Sequence, residues 1–131
     1  MNEYGFIFIL LALFGIKHFI ADFLLQDSDM LKDKGVYGAK GGLDHAMMHG
    51  VGTFLLLVPF FVFLPDFRPI TVLMGLVDAV IHYHIDWAKY QLSAGLTSAD
   101  RKFWVWFGLD QALHYLTYIG IIALVCYIVY H

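Results

Sequence analysis

Four apolar stretches of this chain each carry ionisable residues four apart: His18/Asp22, His45/His49, Asp78/His82/Asp86 and Asp110/His114. A spacing of four stacks side chains on one face of a helix. Inside a helix of hydrocarbon length, each ionisable group costs at least about 2.5 kcal/mol unless it is paired. Five histidines and four aspartates distributed over four such helices therefore require a common partner. A polyvalent metal site inside a membrane bundle meets that requirement with one device.

Composition agrees with a membrane setting. The 131 residues are 60% hydrophobic and 15% charged, against about 25% charged in soluble domains. No Ser/Pro-rich linker or low-complexity tract divides the chain, so residues 1–131 read as one membrane domain. A formal charge of -3 with eight Lys plus Arg leaves no basic surface for nucleic acid. Cys126, the one cysteine, lies in an apolar run and reads as a core or lipid-facing residue; no disulfide can form within the chain. Glu3 precedes the first hydrophobic run and no small-residue cleavage pattern follows, so the first helix is expected to be retained.

The expected fold class is all-α, an integral membrane four-helix bundle with both termini on the outward side. Hydropathy places helices at about residues 4–26, 43–64, 70–92 and 100–130. Asp44 is a candidate cap for the second helix, and Pro59 is expected to loosen its far turn. The glycine- and lysine-rich segment up to Gly42 reads as a flexible, water-exposed loop, and Pro65 to Pro69 as a chain reversal. Lys32, Lys34, Lys40, Arg101 and Lys102 lie in the loops after helices one and three, with Lys89 beside them; the opposite side has only Arg68. The positive-inside rule turns those loops to the cytoplasm, and Trp87, Trp104 and Trp106 fall at the same end.

In this frame the ionisable stripes converge on one layer near the cytoplasmic face. The outward halves of the helices are nearly pure Leu, Ile, Val and Phe, interrupted by Tyr, Thr53 and Thr71. The expected metal ligands are His18, Asp22, His45, His49, Asp78, His82, Asp86, Asp110 and His114. Imidazole nitrogen with carboxylate oxygen suits Zn, Mn or Fe, whereas Ca or Mg favours oxygen alone. Four carboxylates match two divalent ions; one ion with a large supporting set is the other arrangement. Gln26, Asp44 and Gln111 adjoin the ligands and read as supporting hydrogen-bond partners or as helix-end polar groups. Met47 and Met48 read as core packing, His84 falls off the site face by its phase, and His131 is given no role.

An interfacial metal pair would bring the pKa of water towards neutrality and polarise a phosphoryl or carbonyl oxygen, which is metal-assisted hydrolysis. The expected partner is membrane lipid, with Lys40 and Lys89 as candidate phosphate contacts; Lys89 equally suits snorkelling to the interface. The alternatives are a metal-ion or proton transporter and a non-catalytic protein whose metal staples a small bundle. A transport path needs polar lining through the outward half, which a monomer lacks and only a homo-oligomer would supply.

The strings His18-Phe-Ile-Ala-Asp22-Phe-Leu-Leu-Gln26, His45-Ala-Met-Met-His49-Gly50, Ile85-Asp86-Trp87-Ala-Lys89 and Asp110-Gln111-Ala-Leu-His114 resemble a bacterial and phage membrane family catalogued as domain of unknown function 3307. One motif lies on each expected helix, so the resemblance covers nearly the whole chain. It implies a multi-helix membrane protein built around these His, Asp and Gln positions. The chain is also loosely similar in style to bacterial membrane-bound metal-dependent hydrolases, a fold-level analogy that supplies no reaction.

Overall fold

A computed structural model describes residues 2–61 and 68–130. Among these residues the chain is all-helical, without strands. Helix α1 (Glu3–Phe19) continues into a π-helical segment (Ile20–Leu25); a short α2 (Ser28–Asp33) follows, then α3 (Lys40–Phe61), α4 (Arg68–Leu92) and α5 (Arg101–Tyr130). Three helical spans, Glu3–Leu25, Lys40–Phe60 and Arg101–Tyr130, are long and apolar enough to cross a membrane, the mark of a membrane protein. The expected chain reversal at Pro65 to Pro69 and the end of the second helix fall largely on residues outside the described set, as does His131.

Each long helix turns one stripe inward, and the stripe changes character along its length. On α1 it runs Phe6, Leu10, Phe14, His18; on α5 it runs from Asp110, His114 and Tyr118 to Ile121, Ile122, Val125 and Cys126. One end of the bundle is therefore a dry core of Phe6, Leu10, Phe14, Leu57, Met74, Val125 and their neighbours. The other end holds the histidines and aspartates. Outward faces carry large apolar side chains such as Phe8, Ile16, Leu55, Val80, Leu116 and Tyr127. Met47 joins them at 49% exposure, in place of the core position expected for it.

Lipid is as apolar as leucine, so close packing and polar contacts must hold such helices together. The tightest place is between α3 and α4. A Cβ built on Gly50 would lie 2.6 Å from Gly75 O, and one on Gly75 would lie 2.7 Å from Gly50 O, so the two backbones touch. Ala46 and Ala79, each four residues from its glycine, are buried on the same faces. The pattern is the small-xxx-small device of membrane helix pairs.

The segment before α3 is more ordered than its composition suggests. Asp27 caps α2 by accepting from the N–H groups of Asp29 and Met30. Asp33 Oδ2 accepts from Gly41 N at 2.8 Å and so caps α3 from another helix. The helix accordingly starts at Lys40, and Asp44 lies inside its first turns, paired with Lys40, instead of capping it. Gln91 Nε2 donates to Gly35 O at 2.7 Å, and Gly38, at φ +80°, donates its N–H to Tyr83 Oη at 2.6 Å. These bonds tie the segment onto α4, because backbone groups beside an apolar surface need partners that water does not supply.

The α3–α4 contact generates a stability prediction. Gly75→Leu should destabilise the bundle by about 1–3 kcal/mol, the usual cost of overpacking. Gly120→Leu, where a Cβ meets nothing within 4 Å, should change stability by less than about 0.5 kcal/mol. Thermal unfolding in detergent measures both, and equal losses would contradict the contact.

Candidate metal centre

Asp22 stands at the middle of the polar end, and the π-helical segment places it there. A π turn spreads its hydrogen bonds over one more residue than an α turn and so re-aims the side chains it carries. Asp22 Oδ2 lies 3.2 Å from His18 Nε2 on its own helix. Its Oδ1 points across to α3, 3.1 Å from His45 Nε2 and 2.9 Å from His49 Nε2, with His82 Nε2 of α4 at 4.0 Å.

Asp86 is the second node. Its Oδ2 lies 3.3 Å from both His45 Nε2 and His82 Nε2, and its Oδ1 lies 3.4 Å from His114 Nε2 of α5. His114 Nε2 is in turn 3.5 Å from Asp110 Oδ1. The imidazoles of His49, His82 and His114 stack in sequence, with centroids 3.6 Å and 4.1 Å apart and planes within 23°. All five histidines are at most 2% exposed.

Two sets have the composition and spacing to hold a metal ion: Asp22, His45, His49 and His82, and His82, Asp86 and His114; the ligand atoms of each lie within 4.8 Å of one another. A tetrahedral zinc with ligands at about 2.0–2.1 Å places neighbouring ligand atoms about 3.3 Å apart. The 2.9–3.1 Å separations around Asp22 Oδ1 and the 3.1 Å between His45 Nε2 and His82 Nε2 are close to that figure. The buried atoms His114 Nε2, Asp110 Oδ1 and Asp86 Oδ2 also have no hydrogen-bond partner among the described residues, although Asp86 Oδ2 stands at ion-pair distance from the Lys34 ammonium. A cation in the first set would satisfy Asp22, His45, His49 and His82 together, with His114 and Asp110 beside it.

Hydrogen-bond direction sorts the histidines further. An ionised Asp110 can only accept, so the Gln111 amide nitrogen faces its Oδ2 at 3.1 Å and the amide oxygen faces His18 Nε2 at 3.0 Å. His18 Nε2 must then donate, with Gln111 Oε1 and Asp22 Oδ2 both accepting. A neutral His18 consequently accepts at Nδ1 from Tyr118 Oη, 2.9 Å away. The Tyr118 oxygen is left to accept from His49 Nδ1 at 3.5 Å, which frees the His49 Nε2 lone pair to face the cluster. His18 thus stands behind Asp22 and His49, outside both ligand sets.

Of the nine residues expected as ligands, eight meet in this layer; Asp78 does not. It is one turn deeper, where Lys17 Nζ lies 2.7 Å from Asp78 Oδ2, Thr53 Oγ1 donates to the same oxygen at 2.5 Å, and the ammonium sits over the Tyr118 ring at 4.5 Å. Gly52 makes room for this lysine: a Cβ there would lie 3.0 Å from Lys17 Cδ. A lysine inside an apolar helix has to find an acid, which was the signal in the sequence for this pair. Gln111 adjoins the centre, and Gln26, beside Asp22, donates to Asp22 O of its own helix backbone. Asp44 and Lys40 pair on the exposed surface, away from it. Lys34 is the loop lysine that reaches the site, 2.7 Å from Asp86 Oδ2. His84 faces outward and contacts Tyr37, as its phase predicts.

A cleft of about 470 Å³ opens onto this layer. It is lined by the polar Asp22, Asp86, Asp110 and Gln111, by Lys34 and Lys89, and by the apolar Phe23, Leu31, Leu96, Phe103 and Phe107. Lys89 Nζ lies 5.7–6.0 Å from the ring centroids of Phe107 and Phe103.

Comparison with curated proteins and with solved structures finds no match. A family model described as protein of unknown function (DUF3307) matches residues 8–130. That span takes in most of α1, all of α3, α4 and α5, and every residue of the His/Asp layer, and the chain belongs to this family.

Proposed function

We propose that this chain is a metal-dependent hydrolase of the bacterial inner membrane that acts on a lipid or another phosphoester. In this reading α4 crosses the bilayer with the other three long helices, which completes a four-helix membrane bundle with both termini outward. Its Asp78 and Asp86 are no obstacle to crossing, since Lys17 and Lys34 each supply the compensating charge.

The cleft carries this reading. Carboxylates of both ligand sets line an opening that also offers two lysines and apolar walls, which is the chemistry that receives an anionic headgroup and keeps its chains out of water. A divalent ion of the Zn, Mn or Fe class would be held by the His45, His49 and His82 nitrogens with Asp22, with Asp86 and His114 beside it, and would supply electrostatic polarisation of a phosphoryl oxygen. Lys89 orients the anion at the rim. Tyr118 and His18 hold Asp22 and His49 in one geometry. A merely structural metal would be closed over by its ligands, and the cleft that reaches Asp22 and Asp86 favours catalysis. The deeper Lys17–Asp78 pair favours an ion relay as a second reading, but beyond it Leu10, Leu57 and Val125 are fully buried in apolar contacts.

Purified without chelators, the protein should carry metal in stoichiometric amount, and His49→Ala should lose it; elemental analysis decides, and a metal-free parent ends the reading. Tyr118→Phe should keep the fold and weaken metal affinity about 10–100-fold, the usual effect of removing a partner behind a ligand. In mixed micelles, hydrolysis of a phosphoester lipid should stop on chelation and return with metal. Lys89→Ala should raise KM about tenfold with a smaller effect on kcat, as for one lost charge-assisted hydrogen bond.

A further inference from the structure

The lysines around the centre bear on how many ions it can take. Lys17 and Lys34 each approach an aspartate to 2.7 Å, and in each pair both side chains are no more than 13% exposed. Asp78 and Asp86 therefore already have a cation apiece. Among the described residues, Asp22 and Asp110 are the carboxylates of the layer with no lysine or arginine at ion-pair distance, and one divalent ion matches their two charges. A second would leave an excess of positive charge in an apolar surround, which is as costly as an excess of negative charge.

Ligand supply leads to the same number. His82 belongs to both ligand sets, and the same atom serves both: Nε2 is 3.1 Å from His45 Nε2 and 3.3 Å from Asp86 Oδ2. One lone pair binds one ion. Once it joins Asp22, His45 and His49, the other set is reduced to Asp86 and His114, and Asp86 Oδ2 is engaged by an ammonium. Lys34 does not reach that oxygen by chance of a floppy side chain. It terminates α2, and the next residues are fixed by the Gln91–Gly35 and Tyr83–Gly38 bonds to α4, the helix that carries Asp86.

We infer that the centre binds a single divalent ion, in Asp22, His45, His49 and His82, and that the Lys34 ammonium is a tethered cation occupying the place on Asp86 that a second ion would take. The inference rests on the metal reading above and sharpens it. It also gives Lys34 a role distinct from that of Lys89: Lys34 sets the metal count, whereas Lys89 meets the substrate.

The experiment loads the full chain in detergent with zinc, removes free ion by desalting, and counts metal per chain. The parent and Lys34→Arg should hold one ion. Lys34→Met, which keeps the length of the side chain and removes its charge, frees Asp86 and should hold two ions; three uncompensated carboxylates then leave a single positive charge in excess, so the second ion dissociates more readily than the first. Asp86→Asn should still hold one with affinity lowered less than about tenfold, the lower bound for loss of an outer partner, whereas Asp22→Asn should lose it. No metal on the parent would overturn the metal reading itself and this inference with it. Two ions on the parent, or one on a folded Lys34→Met, would overturn the single-ion inference and leave the metal reading standing. Should Lys34→Met fail to elute as the folded parent does, the Asp86→Asn and Asp22→Asn pair decides: retention in Asp22→Asn with loss in Asp86→Asn moves the ion to the other set and overturns the assignment.

Discussion

The carboxylate of Asp22 is the point on which the polar end of the bundle depends. One of its oxygens faces two imidazole nitrogens of α3 and the other faces His18 of its own helix. Any helix that drifted would leave a charged or polar group facing hydrocarbon, where no water compensates it. The other contacts follow from that constraint: Asp86 gathers α4 and α5 onto the same layer, Tyr118 ties His18 to His49, and two lysines pair with Asp78 and Asp86.

The molecule is consequently ordered along its axis as well as across it. Across the axis, large apolar side chains face outward and polar ones inward, the reverse of a soluble domain. Along the axis, a dry core of Leu10, Leu57 and Val125 gives way to the His/Asp layer and then to an open cleft. Dispersion contacts and the Gly50–Gly75 backbone approach hold the first part; electrostatics holds the second. The two halves use different forces in the same four helices, and the boundary lies at Lys17, Asp78 and Thr53.

Much of this was legible in the chain itself. Helix positions followed from hydropathy, and the spacing of four brought eight of nine expected ligands to one level, because a helix converts sequence spacing into facing direction. Asp78 escaped that logic: it has the right spacing to His82, but its level is set by Lys17, one residue before His18, and a partner 61 positions away is not marked by any period. The order of the segment before α3 was hidden for a similar reason. Its glycines read as flexibility, yet Gly35, Gly38 and Gly41 are held by Gln91, Tyr83 and Asp33, partners that only the folded chain brings near. Lys34 and Lys40 look equivalent in sequence, and it is this folding that turns Lys34 inward and leaves Lys40 outside.

The π-helical turn at Ile20–Leu25 has a consequence for how such a chain can change length. A π turn amounts to one residue inserted into an α-helix, so a single deletion between Phe19 and Asp22 would let the helix relax to the regular repeat. Each residue of an α-helix advances the facing direction by about 100°. The deletion would remove no histidine and no aspartate, yet His18 and Asp22 would stand three residues apart instead of four, and the carboxylate would lose the aim that the π turn gives it. In this stretch the inheritance of the centre depends on residue count as strictly as on residue identity, and tolerance to insertion and deletion should collapse there while the apolar positions around it remain free to exchange one hydrocarbon side chain for another.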